Sequence, residues 1–139
     1  MKRLKNIELV IAILISLVLF SCTDEDGNLD MGDDRDAFLG TWNVTEACSK
    51  DSYSVTIVKD PSNSTQVIIQ NFWLIGYNEK PPYAIIAGST ITIPNQFMCY
   101  NNSNEVSGSG SIDKNTIELD YTVNDGADLW DCTATYEKP

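Results

Sequence analysis

Between Phe38 and Tyr136 the chain is a succession of short runs rich in Val, Ile, Thr and Tyr, each closed by a cluster of Asn, Gly, Ser, Asp or Pro. Turn clusters recurring at about ten-residue spacing, with no helical period between them, predict an all-β domain of short antiparallel strands. Strands are predicted at residues 41–47, 53–59, 66–70, 83–87, 90–93, 96–100, 105–112, 116–123 and 131–137. The alternation is cleanest near the end of the chain. There Ile117, Leu119, Tyr121 and Val123 share one face, while Glu118, Asp120 and Thr122 share the other. One dry face and one wet face mark antiparallel sheet. The expected architecture is a small up-and-down β-barrel of about eight strands, with a β-sandwich as the alternative.

The cysteines favour the barrel. Cys48 falls at the end of the first predicted strand, in phase with Trp42 and Val44, and Cys132 falls at the start of the last, in phase with Ala134 and Tyr136. If the first and last strands are antiparallel neighbours, as in a meander that closes on itself, those two positions meet. A Cys48–Cys132 disulfide is therefore expected, with Cys48–Cys99 as the competing pairing. Such a bridge contributes up to about 4.5 kcal/mol in the chain-entropy model. Cys99 is then the odd thiol, buried beside Phe97 or Met98.

The fourth cysteine, Cys22, belongs to a different signal. Lys2, Arg3 and Lys5 precede an apolar run from residue 9 to residue 20, broken only by Ser16. That run is short for a membrane span, which needs about 20 apolar residues, and has the length of a signal-peptide core. Leu19-Phe20-Ser21-Cys22 resembles a lipobox, which implies cleavage before Cys22 and lipidation of its thiol. The acyl chains would hold the protein at the membrane, at about 0.8 kcal/mol per buried CH₂. The alternative is an ordinary secretory signal with an incidental cysteine. Residues 1–21 are read as a lipoprotein signal peptide, 22–37 as a lipidated, acidic, flexible tether, and 38–139 as the folded domain.

Seven acids between Asp24 and Asp36, offset only by Arg35, leave the tether almost nothing to bury. Acids directly after the lipidated cysteine resemble the export signal of Bacteroidota surface lipoproteins. The resemblance implies display on the cell surface from the outer membrane, with a periplasm-facing lipoprotein as the alternative. Asp24, Asp26 and Asn28 match the first ligand positions of an EF-hand loop, but Leu29 replaces the turn glycine and Arg35 replaces the bidentate glutamate. No metal site is expected there.

Net charge is −11, and becomes −13 once residues 1–21 leave with Lys2, Arg3, Lys5 and Glu8. A polyanion of this kind is not expected to bind nucleic acid or anionic lipid surfaces. The chain has no histidine, which removes Ser-His-Asp and Cys-His nucleophiles, His-ligated zinc and a histidine pH switch.

Phe38-Leu-Gly-Thr-Trp-Asn-Val-Thr-Glu-Ala-Cys48 resembles the opening of small lipocalin-like domains in Bacteroidota lipoproteins. Gln70-Asn-Phe72, Ile91-Thr-Ile-Pro-Asn-Gln96, Gly108-Ser-Gly110 and Cys132-Thr-Ala-Thr-Tyr136 extend the resemblance over the chain. It implies a lipocalin-like barrel in which the Gly40-x-Trp42 element sits at the closed end with Trp42 packed across it. The domain is shorter than a true lipocalin and lacks its C-terminal helix, so a ligand cavity does not come with the resemblance. The family is described by its fold and not by an activity.

Residues 71–83 hold the most suggestive side chains. Trp73, Tyr77 and Tyr83 are expected as a stacking platform for sugar rings, with Asn and Glu nearby to accept hydroxyls. The competing expectation makes Phe72, Leu74 and Ile75 core and the following loop a plain turn. Asp125, Asp128 and Asp131 surround Gly126, where acids commonly stabilise turns, although paired carboxylates also serve glycosidases. Gly108-Ser-Gly110 is read as a bend or bulge. The functional expectation is a non-enzymatic, monomeric binding module without cofactor, whose ligand is a glycan, a small apolar molecule or a partner protein. The alternative is a protease inhibitor or assembly partner acting through barrel-end loops.

Overall fold

The computed structural model describes residues 32–48 and 52–139. The signal segment, Cys22, the acids up to Asp30 with the EF-hand-like Asp24, Asp26 and Asn28, and Lys50 lie outside the described residues. Eight strands follow one another: β1 (Gly40–Glu46), β2 (Ser52–Lys59), β3 (Gln66–Gln70), β4 (Tyr83–Ala87), β5 (Thr90–Met98), β6 (Asn104–Asp113), β7 (Thr116–Asn124) and β8 (Leu129–Glu137). Each pairs antiparallel with its sequence neighbours, and β8 returns to β1 to close an up-and-down barrel. The sandwich alternative is thereby excluded. The seam is thin: β1 and β8 share four register pairs, Asn43↔Glu137 to Glu46↔Ala134, where β7 and β8 share nine. Cys48 and Cys132 are bonded just beyond its upper end, with Cα atoms 5.1 Å apart, as their phase predicts. Cys99 is the free, buried thiol.

Two expectations are corrected. Residues 90–93 and 96–100 are not two strands but one, β5, ending at Met98. Pro94 suggests a break because it has no N–H to give a ladder, and proline is confined to edges and bulges. Here the register shifts between Ile93 and Gln96 instead of stopping. The pairing of β4 with β5 begins only at Ile85↔Thr92, and the Gln96 side chain fills the gap above. Its Oε1 accepts from the Tyr83 N–H at 3.0 Å and its Nε2 donates to the Tyr83 carbonyl at 2.7 Å. The second correction is at the start. Among the described residues, 33–37 lie inside the expected tether but are packed on the domain, because Arg35 has carbonyls to reach. Within the 3-10 turn Asp34–Ala37 it is buried, donating to the carbonyls of Asn63 at 3.0 Å and Gln66 at 3.2 Å and pairing with Asp33 at 2.6 Å. Lys59 ties the same turn down through Asp33 and Asp36.

The inward positions of all eight strands form one apolar core, from Trp42 and Val44 on β1 to Cys132, Ala134 and Tyr136 on β8. Gly108 and Gly110 face inward opposite Tyr121 and Leu119. A Cβ on Gly110 would lie 2.0 Å from the Glu118 carbonyl oxygen and one on Gly108 2.6 Å from that of Asp120. Glycine lets β6 bend tightly over β7 without a bulge.

The two barrel ends differ. At the closed end, where the chain enters, fully buried Trp42 donates from Nε1 to the Phe38 carbonyl at 2.8 Å. The Lys138 ammonium sits 4.0 Å from the centre of its ring and donates to the Leu39 carbonyl. Gly40 has φ +108°, and a Cβ there would lie 3.1 Å from the same ammonium, which would have to give way. The opposite end, formed by the β1–β2, β3–β4, β5–β6 and β7–β8 connections, is the mouth.

Candidate functional site at the barrel mouth

The turn after β3 shapes the mouth. Asn71 is left-handed, and its side chain pins the turn at both ends: Nδ2 donates to the Ser54 carbonyl at 2.8 Å and Oδ1 accepts from the Gly76 N–H at 2.9 Å. Trp73 and Leu74 also have positive φ, 52° and 58°. Left-handed non-glycine residues cost of order 1–3 kcal/mol each and persist only where packing compensates. The compensation here is Phe72. Its ring drops into the barrel, fully buried, 4.8 Å from the Tyr121 ring, and so stoppers the core from above. Trp73 is left lying across the opening, with Leu74 beyond it 54% exposed.

From the other side comes Trp130. It pairs with inward-facing Val123, so β8 delivers its indole to the inner rim of the mouth, where it is 38% exposed. Its Nε1 donates to Asp125 Oδ2 at 3.0 Å. Asp125 Oδ1 accepts from the Ala127 and Asp128 N–H groups at 2.9 and 2.7 Å. The Asp128 N–H first, then the Trp130 indole and the Ala127 N–H, hold the Asp125 carboxyl below its usual range and keep it ionised. The Trp73 and Trp130 rings lie 6.4 Å apart, tilted by 55°. Together with Leu74, Cys48 and Glu46 they line a pocket of about 420 Å³.

Glu46 is the floor. It follows Trp42 and Val44 in the inward register of β1 and is almost fully buried. The hydroxyls of Tyr53 and Tyr121 both donate to its Oε1. Burial first, with the Glu46 carboxylate adding to it, pushes Tyr53, Tyr121 and Tyr136 far above the ordinary phenol range, so all three remain protonated. The Tyr136 hydroxyl is buried without a hydrogen-bond partner. The site thus offers two indole faces, a disulfide wall, and acceptors in the form of carboxylates.

Of the three aromatic residues expected as a platform, only Trp73 reaches this pocket. Tyr77 turns away, its hydroxyl donating to the same Ser54 carbonyl that Asn71 uses, at 3.2 Å. Tyr83 precedes inward-facing Ala84 on β4, so alternation puts its side chain on the outer face. Trp130 and Glu46 are the site residues that the sequence pattern did not single out. Asp125 serves its turn and the Trp130 indole, and Asp128 and Asp131 are exposed. Among the described residues no three of His, Cys, Asp or Glu are grouped to hold a metal ion. No protein-family model matches the chain, and no curated protein matches it.

Proposed function

We propose that the protein is a non-enzymatic binding module, held at the outer membrane by a lipid on Cys22, and that it takes a small ligand at the barrel mouth. The observation that supports this best is the pocket between Trp73 and Trp130. Its volume of about 420 Å³ falls within the range of small-molecule sites, about 300–1,000 Å³, and its walls are mostly aromatic and aliphatic. The ligand sits at the rim and not inside the barrel, whose interior is occupied by its own side chains and stoppered by Phe72. Two indoles tilted by 55° grip a compact apolar group better than they support a flat sugar ring, and the absence of Tyr77 and Tyr83 from the pocket removes the extended platform. A small molecule with an apolar head is therefore favoured over a glycan. The lipobox resemblance and the acids after Cys22 support the membrane location.

The indole N–H resonances of the three tryptophans provide the test. A panel of soluble oligosaccharides and small aliphatic and aromatic molecules is titrated while those signals are followed by NMR. Binding at the mouth moves Trp73 and Trp130 and leaves Trp42 in place, and Trp73→Ala abolishes it. A panel that moves none of them, or a ligand that moves Trp42 alone, would overturn the proposal.

A further inference from the structure

We infer that the mouth is selective for a compact organic cation, an alkylammonium group with a small apolar or hydroxylated tail, which it holds between the Trp73 and Trp130 faces. The inference rests on the mouth being the binding site and goes beyond it by assigning the chemistry of the ligand. An ammonium is attracted to the negative face of an indole when it lies within about 6 Å of the ring centre. Both rings line the same pocket, and with their centroids 6.4 Å apart a single position can lie within that distance of both. A neutral apolar head gains the same contact area without the electrostatic attraction.

Two further observations point the same way. The ionised Asp125 carboxylate accepts the Trp130 indole N–H, so negative charge sits at the edge of the ring and makes its face more attractive to a cation. The described cations are also unevenly placed along the barrel axis. Arg35, Lys59, Lys114 and Lys138 are all at the closed end, among the carboxylates of Asp33, Asp34, Asp36, Asp60 and Asp113, as are the ion pairs formed between described residues. The connections of the mouth carry Glu79, Asp125 and Asp128 against Lys80 alone among the described cations, and Glu46 lies beneath them. A mouth of this composition attracts cations and repels carboxylates over a Debye length of about 8–10 Å.

The test compares choline with its neutral carbon isostere, 3,3-dimethylbutan-1-ol, and with the anion 3,3-dimethylbutanoate, using the full chain and the same indole signals. The expected result is that choline shifts Trp73 and Trp130 with at least tenfold higher affinity than the alcohol, while the anion leaves them unmoved. Raising sodium chloride from 20 to 500 mM should weaken choline and not the alcohol. Asp125→Asn should reduce the choline preference with the alcohol unaffected, whereas Trp130→Ala should remove both. Equal affinity of choline and the alcohol at the mouth would overturn the cation assignment and leave mouth binding standing. Failure of both probes to move either indole would overturn the two together.

Discussion

Removing the Cys48–Cys132 bridge should lower stability by about 4.5 kcal/mol without changing the native barrel. The magnitude comes from the loop the bridge closes. Its 84-residue separation spans nearly the whole described domain, so the unfolded chain, once cut loose, recovers most of the closure entropy available to it. For a domain of this size the loss corresponds to a drop of about 20 °C in Tm. The native seam has its own ladder, Asn43↔Glu137 to Glu46↔Ala134, with the Ala47 N–H donating to the Thr133 carbonyl at 2.9 Å beyond it, so the barrel has no reason to open. Urea unfolding of the oxidised protein, the reduced protein and the double variant Cys48→Ala/Cys132→Ala measures the effect. The reduced protein and the variant should agree, and both should show a larger m because their unfolded ensembles are more expanded. A loss below about 1.5 kcal/mol with unchanged m would refute the loop-entropy account. It would mean that the unfolded chain already keeps β1 near β8.

Other substitutions probe features that the bridge does not touch. Gly110→Ala places a Cβ against the Glu118 backbone carbonyl, which cannot rotate away, and should cost at least about 3 kcal/mol. Gly88→Ala meets open space and pays only for its φ of +58°, about 1 kcal/mol; thermal unfolding of the pair checks the contrast. Glu46→Ala leaves the Tyr53 and Tyr121 hydroxyls without their acceptor and should cost about 2–5 kcal/mol in urea, whereas Glu46→Gln keeps an oxygen there and should recover part of it. Asp33 is held below the usual carboxylate range by hydrogen bonds from Arg35 and Lys59. Its depressed folded pKa means that its contribution is complete above about pH 4 and is lost as pH falls below that, toward the folded value. Asp33→Asn should therefore flatten the stability profile below about pH 4 and leave its slope above pH 6 unchanged.

The fold was legible because alternation and phase are properties of single strands. Ile117 to Val123 state their own inside and outside, and the phases of Cys48 and Cys132 favoured the pairing of first and last strands over the Cys48–Cys99 alternative. Pro94 misled because a bulge and a chain break look alike until a side chain such as Gln96 is seen to bridge the gap. Arg35 read as one cation in an acidic spacer because its partners, the carbonyls of Asn63 and Gln66, are backbone atoms distant in sequence. The mouth was half legible. Trp73 stood out by its aromatic neighbours, but their convergence depended on the Asn71–Leu74 turn, where the left-handed Trp73 and Leu74 are of types that do not announce such a backbone. Trp130 lies just before the predicted start of the last strand, among turn acids. Counting back two from Cys132 puts it in the inward phase, and counting on two from Val44 puts Glu46 there.

The Phe72 stopper also has a kinetic meaning. Because it seals the core, a ligand bound at the mouth as proposed would not pass through the barrel, and no segment would have to swing aside for it to leave. Its residence time is set by contact energy alone. At ordinary association rates of about 10⁶–10⁷ M⁻¹s⁻¹, micromolar affinity corresponds to a dwell of about 0.1–1 s. On the proposed reading, a barrel closed in this way would suit sampling and release of a ligand better than its storage.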